Sequence, residues 1–119
     1  MENCIFCQIA DKKAPAKIYY EDEHSIAFPT LNPAVDGHVM VIPKHHSTNM
    51  LDIDTNELKL LVESTQEVAR RVVKEFKATG FNLMMANGKD AHQSVFHLHW
   101  HIVPRRPNDR IDSWIEHWL

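Results

Sequence analysis

The chain has 119 residues, 44% of them hydrophobic and 24% charged, and a net charge of −3 with its histidines neutral. That is one domain with enough apolar residues for a core, so disorder is excluded and a single domain over 1–119 is expected. The charge leaves no basic field to grip a nucleic acid backbone, and no apolar run reaches the length of a membrane span or forms a signal peptide.

Asn3 to Ala10 reads as a short helical turn carrying the only two cysteines, Cys4 and Cys7, and Ala14-Pro15-Ala16 breaks it. Two cysteines so close cannot staple a fold. A reducing, cytoplasmic setting is expected, with metal or redox roles favoured over a disulfide. Lys17 to Glu21 and Ser25 to Phe28 are strand candidates around a polar hairpin loop. Pro29 to Gly37, with two prolines and a glycine, is loop. His38 to Ile42 is a buried-strand run closed by Pro43.

Asp52 to Gly80 carries the clearest helix. Asp54 is the expected N-cap and Glu57, three residues on, its capping-box partner. Leu58, Leu61, Val62, Thr65, Val68, Ala69, Val72, Val73 and Phe76 follow helical spacing and predict a stripe that covers a sheet. Gly80 is the expected stop. Phe81 to Ala86 is another strand, and Asn87-Gly88-Lys89-Asp90 a turn.

Ser94 to Pro104 then alternates strictly. In a strand His97, His99 and His101 share one face, about 7 Å apart, while Phe96, Leu98, Trp100 and Ile102 share the other. The apolar face suits a core, and the imidazoles are expected as an exposed stripe. Histidine near neutral pH serves as nucleophile, acid, base or metal ligand. Gln93 and Ser94, just upstream, supply neutral donors of the kind that stabilise charge developing at phosphorus. After Pro104 comes a polar tail ending in a segment with Trp114 and Trp118, expected to dock. Strands, one long helix, then strands make an α+β meander.

Cys4-x-x-Cys7 has zinc-ligand spacing. A structural zinc wants four ligands, and Cys4, Cys7, His46 and His97 make a chemically reasonable Cys2His2 set.

His97-Leu98-His99-Trp100-His101-Ile102-Val103 resembles the His-φ-His-φ-His-φ-φ signature of the histidine triad family of nucleotide hydrolases and transferases. Cys4-Ile5-Phe6-Cys7 looks like the N-terminal box of its bacterial-type members. Gly37-His38-Val39-Met40-Val41-Ile42-Pro43-Lys44 and Gln93-Ser94-Val95-Phe96-His97 extend the likeness over nearly the whole chain. The resemblance implies a five-stranded antiparallel sheet with one long helix, in a homodimer whose two sheets join. It implies His99 as nucleophile on the α-phosphorus of a nucleoside 5′-phosphate derivative, a phosphoramidate or dinucleoside polyphosphate. His101, Gln93 and Ser94 would hold phosphate oxygens, and His38 would support the ring of histidines. Structural zinc would sit on Cys4, Cys7, His46 and His97.

Three positions depart from the family pattern. Leu-Asp, whose Asp accepts the ribose hydroxyls, is Pro29-Thr30 here. The Asn two places before the loop glycine is Ala86, with Asn87 one place later. The Gly before Gln93 is His92. Thr30, Asn87 and His92 are therefore the candidate substrate contacts at altered positions, and weak discrimination between ribose and 2′-deoxyribose is expected. Two other readings stand beside this one. His97 and His99 would chelate a catalytic zinc in the first, and the second is a zinc-stabilised nucleotide-binding module without turnover.

Overall fold

A computed structural model describes residues 1 and 3–111 of the chain. Its elements are α1 (Ile5–Ala10), β1 (Tyr20–Glu21), β2 (Ser25–Pro29), β3 (Val39–Pro43), α2 (Thr55–Glu75), β4 (Gly80–Met84) and β5 (Trp100–Arg105), with one 3-10 turn at Lys89–Ala91. The five strands form one antiparallel sheet in the order β1-β2-β3-β5-β4, as expected for an α+β meander with one long helix.

Both faces of the sheet are covered, which explains the continuous apolar run of β3. Successive strand residues point to opposite faces. Val39 and Val41 join Ala27, Trp100 and Ile102 in a core with Leu61, Val68, Ala69 and Val72 of α2. Met40 and Ile42 join Ile26 and Phe28 in a second core with Cys4, Phe6, Cys7 and Ile9. The second core overturns the expected exposed stripe. His38, His97, His99 and His101 are all buried, none more than 5% exposed, because α1 and the aromatics around it close that face.

Asp54 caps α2 by accepting from the Asn56 and Glu57 amides. The reciprocal half of the capping box does not form, because the Glu57 carboxylate turns to His45 Nδ1 at 2.7 Å. The helix also stops earlier than Gly80. Phe76 is its C-cap and Lys77 takes a left-handed φ of 53°, so the chain has already reversed when Gly80 opens β4. Gly37 is required where Phe76 lands: its φ is +92° and an added Cβ would sit 2.7 Å from the Phe76 ring. Val62 departs from the buried stripe and is 51% exposed, beside the half-exposed Phe81 and Leu83 of the edge strand β4.

The histidine stretch is only partly regular strand. Pairing with β3 begins at Trp100, so His97, Leu98 and His99 precede the ladder. Pro104 does not end the strand. It lies opposite Phe81, beyond the last β3 partner at Ile102, where its missing N–H costs no bond to β3. Arg105 ties the segment after β5 to the sheet through Asn82 Oδ1, Asp109 and the Ile111 carbonyl. The tail tryptophans lie outside the described residues. No helix among the described residues is long and apolar enough to cross a membrane.

Candidate functional site

Cys4 is the N-cap of α1, and its sulfur accepts from the Cys7 amide at 3.3 Å. Residues three apart on a helical turn share a side, so both thiols face the same point. His97 Nδ1 lies 3.3 Å from Cys4 Sγ and 3.4 Å from Cys7 Sγ, and His46 Nδ1 lies 3.3 Å from Cys7 Sγ. All four donor atoms fall within 4.8 Å of one another. Donors at ~2.0–2.3 Å from a tetrahedral zinc stand roughly 3.3–3.8 Å apart, so the cluster fits that ion. Burial and the neighbouring Cys4 push the Cys7 thiol up, which makes a cation the natural counterpart for a deprotonated pair. His97 Nε2–H donates to the Pro43 carbonyl at 2.8 Å, leaving Nδ1 bare toward the sulfurs. Four protein donors fill a tetrahedral set and leave no open position for water, the arrangement of a structural rather than a catalytic site. His99 is not in this cluster.

Two residues on, the other ring nitrogen is claimed. His99 Nδ1 lies 2.9 Å from the His97 carbonyl oxygen, which can only accept, so Nδ1 carries the proton and Nε2 keeps its lone pair. The Phe6 ring packs edge-on against His99 at 5.1 Å. Burial, opposed by the bond to the His97 carbonyl, pulls the His99 pKa below its usual value and favours the neutral ring.

A chain of donors fixes the remaining histidines. The Ala34 amide donates to His38 Nδ1 at 3.0 Å, so a neutral His38 carries its proton on Nε2. That Nε2–H meets His101 Nδ1 at 2.8 Å, which places the His101 proton on Nε2 in turn. His101 Nε2 is buried and has no partner among the described residues. The outcome is a lone pair on His99 and an uncommitted donor on His101, with ring centroids 5.4 Å apart. Burial lowers His38 to about 4 and, with help from His38 and His99, His101 to about 3, so both stay neutral at pH 7.

The other predicted residues are gathered less tightly. Both Gln93 amide protons are spent on backbone carbonyls, Thr48 at 2.6 Å and Val95 at 3.0 Å, and its oxygen accepts from Gly88 N. Gln93 therefore locks the loop together and turns no donor to the histidines. Ser94 is exposed. Asn87 is exposed, and its Oδ1 accepts from the Met50 amide at 2.8 Å, tying the loop after β4 to the approach to α2. Thr30 is half-exposed on the loop after β2, and Ala86 is buried. His92 is exposed with a left-handed φ of 70°, a conformation that suits the glycine it replaces. Sequence reasoning missed Phe6, although its place between the two cysteines was a usable signal. It also missed the carbonyls of Pro43 and His97, which no side-chain pattern announces.

The HIT domain family model matches residues 11–108 of this chain. The chain is similar to "Protein hit" of Bacillus subtilis, 41% identical over 104 residues, which is 87% of this chain and 72% of that protein. It is 36% identical over 103 residues to the adenosine 5′-monophosphoramidase HNT1 of Saccharomyces cerevisiae, covering 87% of this chain and 63% of that one. Among solved structures, a Zn-bound histidine triad family protein from Mycobacterium smegmatis superposes with a TM-score of 0.89 at 35% identity, covering 94% of this chain and 81% of its own.

Proposed function

The chain belongs to the HIT domain family, and from that premise we propose that it is a nucleotide hydrolase acting at the α-phosphate of nucleoside 5′-phosphate derivatives. One observation carries the reading: a neutral imidazole with a bare Nε2, fixed by a backbone carbonyl, beside a buried imidazole donor that has no partner among the described residues. Similarity to a monophosphoramidase supports a phosphoramidate among its substrates.

In this mechanism His99 Nε2 attacks the α-phosphorus. The new N–P bond forms as the bond to the leaving amine or phosphate breaks, and the leaving group takes up a proton from solvent, which the hydrolytic water returns in the second step. His101 Nε2–H donates to a phosphoryl oxygen as its charge grows. Such preorganised donors are commonly worth about 10²–10³ in rate each. Water then attacks phosphorus, the N–P bond breaks, and the nucleoside monophosphate leaves with His99 regenerated. Splitting one displacement into two lowers each barrier. Ser94 remains a candidate phosphate donor. Gln93 acts by holding the loop, Thr30 and Asn87 are the candidate contacts on the nucleoside side, and His92 is the candidate donor toward the phosphate side.

Cys4, Cys7, His46 and His97 hold one structural zinc, which the donor set fits and a zinc-bound relative supports. A homodimer is part of the same reading. Among the described residues β4 is an edge strand, and Val62, Phe81 and Leu83 stand half-exposed with Ala69 and Val73 along a shallow apolar groove. An open edge beside an apolar patch favours pairing with a second copy. Two cysteines that serve as metal ligands and form no disulfide suit a reducing, cytoplasmic setting.

The test is trapping. Acid- and base-quench of the protein with radiolabelled adenosine 5′-phosphoramidate should leave an acid-labile, base-stable label, absent in His99→Ala. Turnover without any label, or full activity in His99→Ala, would overturn the covalent mechanism. Binding without turnover would leave a nucleotide-binding module.

A further inference from the structure

The peptide that fixes His99 lies outside the sheet, since the β3–β5 ladder begins at Trp100. Residue 97 is held by other means. Its Nε2–H goes to Pro43 O at 2.8 Å and its Nδ1 faces both sulfurs at 3.3 and 3.4 Å. The next amide, Leu98 N, donates to Ser47 O at 2.7 Å, immediately after the ligand-bearing His46. The carbonyl of the same residue accepts from His99 Nδ1. A second link runs through α1, where Phe6 sits between the two cysteines with its ring on His99.

We propose that the Cys4–Cys7–His46–His97 box is a positioning device for His99: metal ligation fixes the His97 peptide and the Phe6 ring, and through them the tautomer of His99. Metal occupancy then sets turnover as well as stability. The inference rests on His99 being the nucleophile. A bound ion joins α1, the segment after β3 and the segment before β5 through bonds of about 2.0–2.3 Å. Without it these meet there through thiol–imidazole contacts at 3.3–3.4 Å. A His97 peptide free to rotate withdraws its carbonyl. His99 then divides between two tautomers, only one of which presents a bare Nε2. Losing such an outer support commonly costs about 10–100-fold.

The experiment compares wild-type protein loaded with zinc, stripped by chelator, and reloaded. It reads four quantities: the His99 side-chain ¹⁵N spectrum, affinity for AMP, the melting transition, and kcat and KM for adenosine 5′-phosphoramidate. The stripped protein should still melt cooperatively and bind AMP within about threefold. Its kcat should fall about 10–100-fold, and its His99 nitrogens should move from one tautomer to a mixture. Reloading should restore both. His46→Ala should match the stripped protein, while His46→Cys, which keeps four N/S donors, should retain zinc and a single His99 tautomer. Unchanged His99 nitrogens and kcat after stripping would overturn the proposal. Loss of the cooperative melt would also overturn it, because the metal would then hold the whole chain rather than residue 97. Loaded protein that never labels at His99 would sink the functional reading instead, and the nitrogen spectra would still decide whether metal fixes that ring.

Discussion

His97 and His99 are the same residue type on the same face of one stretch, both buried and both held by a backbone carbonyl. They differ in which nitrogen the backbone takes. Pro43 takes Nε2 of His97 and leaves Nδ1 for the sulfurs, whereas the His97 carbonyl takes Nδ1 of His99 and leaves Nε2 bare. A neutral imidazole has one donor and one acceptor, so the bond to one nitrogen decides the use of the other. In the function proposed above, metal ligand and nucleophile are separated by this choice of tautomer, which main-chain carbonyls make.

The sharpest way to break the comparison is to remove each side in turn. Cys7→Ser should lose zinc by elemental analysis and, by the stability that structural metals supply, several kcal/mol of folding free energy. In a domain this size that lowers Tm by well over 10 °C. His99→Ala should keep about one zinc per chain and melt within a few degrees of wild type. Zinc retained in Cys7→Ser but lost in His99→Ala would reverse the assignment and favour a catalytic metal.

A smaller effect separates the histidines by pH. His38 is buried with its pKa lowered to about 4 by desolvation, and no metal donor touches it. A histidine whose folded pKa is depressed stabilises the fold above its unfolded value near 6.5 and loses that contribution as pH falls toward 4. The loss should be on the order of 2 kcal/mol by pH 4, allowing for solvent screening. Thermal melts of chelated protein between pH 7 and 4 should show the decline in wild type and a flatter profile in His38→Asn. Identical slopes would mean that His38 is already charged in the folded state.

Much of this arrangement was legible in residue spacing. The alternation of the triad put three imidazoles on one face, and helical spacing put Cys4 and Cys7 on one side of a turn. The Asp54 cap formed as expected, and so did the stripe of α2 apart from Val62. What spacing misjudged were competitions. Glu57 could cap its own helix or bind His45, and the side-chain partner won. The imidazoles read as exposed because polar residues opposite an apolar face usually are, yet α1 returns to cover them. The donor capacity of Gln93 was visible, but the nearby carbonyls of Thr48 and Val95 that consume it depend on where distant loops settle.

The smallest expected effect is at His92, exposed at the upstream edge of the same stretch. Its backbone has φ 70° and ψ 28°, left-handed, closing the turn at Lys89–Ala91. A non-glycine residue there carries strain of roughly 1–2 kcal/mol. Glycine removes the strain but gives back roughly 0.5–1 kcal/mol through the entropy of its unfolded chain. The difference is a net stabilisation of about 0.5 kcal/mol for His92→Gly, or a Tm rise of about 2–4 °C. His92→Ala removes the same imidazole and keeps the strain, so its Tm should stay at the wild-type value. The two variants also test His92 as a substrate contact. A neutral hydrogen bond to substrate is worth about 1 kcal/mol, close to a fivefold change in kcat/KM. An equal loss in both variants assigns the imidazole to the substrate. Unchanged kcat/KM in both, with the Tm rise confined to His92→Gly, leaves His92 a strained substitute for glycine with no part in binding.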